Sequence, residues 1–329
     1  MSDINKIKVY KYKNIAAALA VMLLALVALS TSCGAGASAK TADKGKHDTV
    51  DSLSAESADD NGSSGKRLTK NYVYKEMHSV NDGLLVQVNS QRPFTGNVGE
   101  TDQLYQYLFT PDGELLMAAG YPSDEALKEM LEALNRLALD FKAYSGLDTL
   151  MVTTLMPEEG TSVKSDEAYI GSCAELMVNE DGDFKKFTGT EDYAWIPNNC
   201  YKYGFVMRGA NKLRYIGKEA AACIRDMGIT DGAGDLETLE ITIKDYTFEE
   251  PLYFTDEGGK EYAGYFVPVG EGETTSIPVP AKADNSEFVN FISGNNDDGY
   301  IVFADLTDVS TDDKAAENGS VKPSAEANG

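Results

Sequence analysis

The strongest periodic signal in the chain lies over residues 123–145, where Leu127, Met130, Leu131, Leu134, Leu137, Ala138 and Phe141 recur at helical spacing. Ser123 is placed to cap a helix there, Asp124 and Glu125 suit the positive end of its dipole, and Gly146 ends it. Such an apolar stripe is core packing. A second helix is predicted from Thr190-Glu191-Asp192 toward Tyr203-Gly204, and Pro197 inside it must bend it or force a shorter start. A third runs over Lys218–Met227 and stops at Gly228. The short apolar run Leu84–Val88 reads as a strand leading into Asn89-Ser90-Gln91-Arg92-Pro93. Past residue 250 the pattern changes. Glu261–Val269, Thr274–Pro280, Phe288–Ser293 and Tyr300–Leu306 are short, β-rich and separated by Gly-, Pro- and Asn-rich turns, and Asn296-Asp297-Asp298-Gly299 is a hairpin signal.

The two ends read differently. A lysine-bearing start leads into Ile15–Leu29, an unbroken run of fifteen apolar residues. That is short of the roughly 20 needed to span a bilayer and suits the apolar part of an export signal. In Leu29-Ser30-Thr31-Ser32-Cys33 a small residue precedes a cysteine, as at a lipoprotein cleavage site, so Cys33 is the expected lipid anchor. Ser30 stands where an aliphatic residue is usual; cleavage near Ala37-Ser38-Ala39 and an uncleaved anchor stay open. Residues 34–70 and 310–329 are too poor in large apolar side chains to fold and read as a tether and a tail. The expected organisation is a leader (1–33), a tether (34–70), a folded domain (71–235), a β-rich appendage (236–309) and a tail (310–329).

Charge narrows the partners. The net charge is −24, and Lys6, Lys8, Lys11 and Lys13 against Asp3 make the rest of the chain more acidic still. Such a surface repels nucleic-acid backbones and anionic lipid headgroups, so no nucleic-acid partner is expected. A membrane is reached only through the N-terminal lipid.

Several runs carry a resemblance. Trp195-Ile196-Pro197-Asn198-Asn199-Cys200-Tyr201-Lys202-Tyr203-Gly204-Phe205-Val206-Met207-Arg208 and Leu213-Arg214-Tyr215-Ile216-Gly217-Lys218-Glu219-Ala220 are similar to stretches of the VanY-type D-alanyl-D-alanine carboxypeptidases, zinc enzymes that trim peptidoglycan stem peptides. Leu85–Arg92 resembles that family's first strand, Tyr144-Ser145-Gly146 the start of its Ser-Gly-Tyr-Arg motif, and Ile292–Val302 an appendage of some members. The resemblance implies an α+β fold of the DD-peptidase/hedgehog-like kind, with a central antiparallel sheet, flanking helices and here a small C-terminal β appendage.

It also implies chemistry that this chain lacks. The family holds zinc through His and Asp in Ser-x-His-x-x-Gly-x-Ala-x-Asp and through the His of Glu-Pro-Trp-His, whose Glu is the general base. Matched at Gly171, Asp166–Glu175 puts Ala168 at the first His and Glu175 at the Asp; a second register puts Ser172 and Asn179 there. Gly209-Ala210-Asn211-Lys212 fills the other motif, with Gly209 at the base and Lys212 at the ligand, and Asp148 reverses the charge of the substrate-orienting Arg. The count is independent of any alignment: His47 and His78 are the chain's two histidines, so nothing beyond residue 78 supplies one. Neither a bound metal nor another cofactor is expected.

Ser145, Asp148, Glu175, Arg208, Lys212 and Arg214 are then the candidates for a remnant groove, with Glu175 and Lys212 expected to pair where the metal would sit. Cys173, Cys200 and Cys223 read as buried small side chains, with a disulfide open to an exported protein. Asp256-Glu257-Gly258-Gly259 and Asn295–Asp298 lack the spacing of a calcium loop and read as solvated turns. The functional expectation is an extracytoplasmic, membrane-tethered pseudoenzyme that binds a stem peptide or a wall protein. A residual hydrolase and a purely structural surface protein are the alternatives.

Overall fold

The computed structural model describes residues 71–154, 166–229, 235–282 and 284–307. The leader with Cys33, the tether and the tail lie outside the described residues. In chain order the elements are β1 (Tyr72–Met77), β2 (Thr101–Gln103), β3 (Ala118–Ala119), β4 (Glu125–Leu127), α1 (Lys128–Ser145), β5 (Leu150–Thr154), β6 (Cys173–Glu180), β7 (Asp183–Lys186), α2 (Trp195–Asn199), β8 (Phe205–Met207), β9 (Lys212–Tyr215), α3 (Lys218–Asp226), α4 (Asp235–Ile243), β10 (Leu252–Thr255), β11 (Glu261–Pro268), β12 (Thr275–Pro280), β13 (Asn290–Gly294) and β14 (Gly299–Asp305).

These make a mixed α and β molecule with several sheets and few helices. The largest sheet has the order β3-β5-β6-β9-β8, with β7 pairing β6. Its pairs are antiparallel except β3 with β5. A four-stranded antiparallel sheet, β10-β11-β14-β13, follows in the C-terminal part, and the pairs β1-β12 and β2-β4 complete the set. Among the described residues no helix is long and apolar enough to cross a membrane.

The helix read from periodicity begins later than expected, at Lys128, because Glu125–Leu127 pairs with Thr101–Gln103 as a strand. Ser123 therefore caps nothing. The apolar stripe is buried all the same: Met130, Leu131, Leu134 and Leu137 have no exposure and Phe141 has 1%. Burying a side chain of that size is worth about 1.5–3 kcal/mol, so packing holds α1 on the large sheet without a cap. Its far end stops where Gly146, at φ 71, returns its N–H to the Lys142 carbonyl.

The second predicted helix is broken into a 3-10 turn at Glu191–Ala194, the short α2, and a 3-10 turn at Cys200–Tyr203. Pro197 falls in the first turn of α2, where a backbone N–H has no helical acceptor to lose. The third helix and the four late strands stand within a residue or two of their expected bounds. Helix α4 and the strands β1–β10 were not anticipated.

Leu84–Val88 is a correction. It is buried but joins no sheet. Buried backbone must still be hydrogen-bonded, and here side chains do most of it, beside one backbone bond from the Gln87 N–H to the Asn295 carbonyl at 3.2 Å. The Arg214 guanidinium donates to the carbonyls of Leu84 and Val86 at 3.2 and 2.7 Å, and the Leu85 N–H donates to Ser293 Oγ at 2.9 Å.

The described residues belong to one compact unit, Gly65–Gly329. The late sheet shares a core with helices that precede it: Ala220 and Cys223 of α3, Leu236 and Leu239 of α4, and Phe254, Tyr262 and Phe303 form one apolar cluster. Strand β1, at the start of the described chain, pairs along its whole length with β12. The boundary drawn at 235/236 falls on the first turn of α4.

Candidate functional site

The candidate site lies where β6 and β9 pair. Cys173 stands opposite Arg214 and Glu175 opposite Lys212. Before β6, the Asp166 carboxylate accepts the Ala168 N–H at 2.8 Å and starts a 3-10 turn, Glu167–Ile170. The turn ends at Gly171, whose φ of 76 lies in the left-handed region that favours glycine. That turn carries Glu167 back over the sheet. On the other side, β8 and β9 form a hairpin in which the Arg208 N–H donates to the Lys212 carbonyl at 2.7 Å, with Gly209 exposed in the connection at φ 89.

Strand alternation puts Lys212 and Arg214 on one face, and the hairpin adds Arg208. All three converge on one carboxylate. Glu167 receives Arg214 Nη1 at 2.8 Å, Lys212 Nζ at 2.8 Å and Arg208 Nε at 3.3 Å. The Glu167 side chain is 11% exposed and that of Arg214 only 1%. Arg208 continues to α4 in a two-pronged contact with Glu237, at 3.1 and 3.0 Å. The charges form a closed knot that joins the turn before β6, the β8–β9 hairpin and α4.

Burial opposes the ionisation of Glu167, but Arg214, Lys212 and Arg208 outweigh it and hold its carboxyl down at about 2. Burial likewise works against the Lys212 charge, and Glu167 overrides it, so its ammonium is held above the ordinary lysine range. Burial pushes the Cys173 thiol up to about 11, though Arg214 pulls the other way. A carboxylate so acidic is a poor base at neutral pH, a lysine so firmly protonated is no nucleophile, and a thiol so weakly acidic carries little thiolate.

Of the residues singled out from the sequence, Arg208, Lys212 and Arg214 are brought together, with Glu175 opposite Lys212 and Ala168 next to Glu167. The expected Glu175–Lys212 ion pair is replaced. Lys212 reaches Glu167, and Asp166 at 3.8 Å, while Glu175 accepts from Asn211 Nδ2 at 2.6 Å. The turn before β6 offers Lys212 a half-buried carboxylate that is shared with two arginines.

Ser145 and Asp148 lie elsewhere. They precede Leu150, which pairs with Val178 near the far end of β6, whereas the knot is at the Thr154–Ala174 end. Ser145 Oγ bonds the Phe141 carbonyl at 2.8 Å and takes the Leu147 N–H at 3.1 Å, finishing α1. Asp148 is exposed. Glu167 and Glu237 were missed. The signal for Glu167 was present: three cations on one short hairpin require a buried anion nearby, and Glu167 directly precedes Ala168.

Cys173, Cys200 and Cys223 are buried free thiols. The acidic turns are internally satisfied. Asp256 caps its own turn through the N–H groups of Gly258 and Lys260. Glu240, Asp297 and Asp298 converge, but Arg92 and Lys244 already sit among them, Lys244 Nζ at 3.2 Å from Glu240 and 2.9 Å from Asp298.

Comparison with known proteins finds similarity in sequence and in fold. A D-alanyl-D-alanine carboxypeptidase of Enterococcus faecium is 22% identical over 258 residues, spanning 72% of this chain and 78% of that protein. The putative carboxypeptidase YodJ of Bacillus subtilis (strain 168) is 26% identical over 184 residues, 45% of this chain and 66% of that protein. The crystal structure of the vancomycin-resistance D,D-dipeptidase VanXYg, in complex with a D-Ala-D-Ala phosphinate analogue, superposes with a TM-score of 0.54 at 19% identity, over 71% of this chain and 98% of that one. No family model matches. The chain is thus similar in sequence to D-alanyl-D-alanine carboxypeptidases and similar in fold to a D,D-dipeptidase.

Proposed function

We propose that this protein is a non-catalytic relative of the D,D-peptidases that binds peptidoglycan stem peptides, or a protein of the wall, without cutting them. The observation that carries the reading is the donor set at the β6–β9 pairing. Ala168, Glu175 and Lys212, the positions that the resemblance assigns to zinc, gather in one place. Zinc does not fit them. A tetrahedral shell needs unprotonated N, O or S donors. Ala168 brings none, the Lys212 ammonium is locked on Glu167, and Glu175 is engaged by Asn211. Gly209 has no side chain to act as base.

On this reading the large sheet corresponds to the central antiparallel sheet of the DD-peptidase/hedgehog-like fold, and the scaffold is kept for recognition. The leader delivers the protein outside the cytoplasm and Cys33 tethers it there. The test is direct. The purified protein, incubated with a pentapeptide ending in D-Ala-D-Ala and added Zn²⁺, should release no D-Ala, yet be retained on purified peptidoglycan at moderate salt. Turnover abolished by a chelator overturns the pseudoenzyme. Absence of retention favours a structural surface protein.

A further inference from the structure

The knot around Glu167 has its charges matched internally. A second region has not. A groove of about 760 Å³ runs along α3, walled by Tyr201 and Lys202 on one side and the β10–β11 hairpin on the other. Its charged lining is mixed, with Lys202, Lys218, Arg225 and Lys260 beside Asp226, Asp256 and Glu257. Several groove charges are engaged: Lys202 with Glu257 at 3.1 Å, Lys260 with Asp305 at 2.7 Å, and Arg225 over the Tyr201 ring at 4.9 Å.

Two exposed charges stand apart. Lys218 opens α3 and Asp226 closes it, and among the described residues neither has an ion pair or side-chain hydrogen bond. Both oppose the helix dipole, which favours an acid at the first turn and a base at the last. Glu219 and Arg225, beside them, follow that preference. Both opposed charges, with Ala222 between them, line the groove. Eight residues of helix separate them by about 12 Å. An extended peptide covers roughly 3.3–3.6 Å per residue, so three to four residues span that gap.

We infer that this groove binds a short peptide with free ends, its carboxylate at Lys218 and its ammonium at Asp226. The inference stands on the groove alone and does not require the reading of the Glu167 region. Ala222, without a bulky side chain, leaves room for the peptide backbone along the helix.

The experiment is calorimetric titration of the full chain with tetra-alanine, N-acetyl-tetra-alanine and tetra-alanine amide. The free peptide should bind, and capping either end should weaken binding by about tenfold or more, the size of one charge-assisted hydrogen bond. Lys218→Ala should erase the difference between the free and amidated peptides, and Asp226→Ala the difference between the free and acetylated ones. Lys218→Arg should keep the carboxylate preference, and Lys128→Ala, a charge change on another helix, should leave all three affinities as they are. Equal affinities for the three peptides, or no binding of tetra-alanine at millimolar concentration by the folded protein, overturn the inference. Retention on peptidoglycan is read separately and is free to succeed or fail on its own.

Discussion

Two charged regions of this molecule differ in what they leave over. Around Glu167, three cations and two carboxylates are drawn together within hydrogen-bonding reach, with Arg214 buried, Glu167, Arg208 and Lys212 half-buried and Glu237 exposed. Along α3, charges of both signs line an open groove, and the two at the helix ends are unpaired among the described residues. The first arrangement holds elements together. The second is poorly placed for the helix that carries it and available to something else. A buried charge must be matched within the fold, because the cost of leaving it unmatched is several kcal/mol. An exposed one is matched by water and can wait for a ligand. Density of charge therefore does not by itself identify a binding site.

The contrast can be broken at its strongest point by Arg214→Met. This removes a buried partner of Glu167 and the donors to the Leu84 and Val86 carbonyls. A loss of about 3–5 kcal/mol is expected in urea unfolding. A loss below about 1 kcal/mol would mean that the knot holds nothing.

Acid gives the next largest effect. Glu167 titrates at about 2 in the folded protein and at about 4.3 when unfolded. Because the folded value is depressed, its contribution is fully present above the unfolded value and is lost as pH falls through about 2. The amount is of the order of 3 kcal/mol. Stability of Glu167→Gln should lack this acid limb, so the gap between variant and wild type should narrow steadily below about pH 4.3. Parallel stability curves through that range would remove the electrostatic account.

The smallest effects sharpen the comparison. In double-mutant cycles, Lys212→Ala with Glu167→Ala should couple by about 1–2 kcal/mol, and Lys212→Ala with Glu175→Ala by no more than about 0.5 kcal/mol. The corresponding cycle on Lys218 and Asp226 should show no coupling, and each single change there should move stability by less than about 0.5 kcal/mol. Strong coupling between Lys212 and Glu175 would restore the pairing expected from the sequence.

What was legible along the chain followed the range of the interactions involved. The stripe of α1, the stop at Gly146, helix α3 and the late strands were read nearly in place, because local periodicity and turn chemistry dictate them. The start of α1 was not, because β4 takes Glu125–Leu127 into a strand with a partner more than twenty residues upstream. Leu84–Val88 looked like a strand because apolar content reports burial, and burial does not say whether a neighbouring strand or the Arg214 guanidinium completes the backbone. Helix α4 was passed over although Leu236, Leu239 and Ile243 keep helical spacing. Of the candidate groove, Arg208, Lys212 and Arg214 were found from the resemblance. Ser145 and Asp148 were grouped with them but precede Leu150, which pairs with Val178 near the other end of β6, since a short motif carries no information about where in the sheet it lies.

By itself, the sequence determined that no pair of histidines is available beyond residue 78, because composition is indifferent to folding. It also determined the apolar faces and the acidic balance of the surface. Only the tertiary structure decided which carboxylate answers Lys212. Glu175 is its neighbour across the strands, yet Glu167 holds it, because a turn ending at Gly171 brings that carboxylate into a buried place already shared by Arg208 and Arg214, where opposite charges attract most strongly.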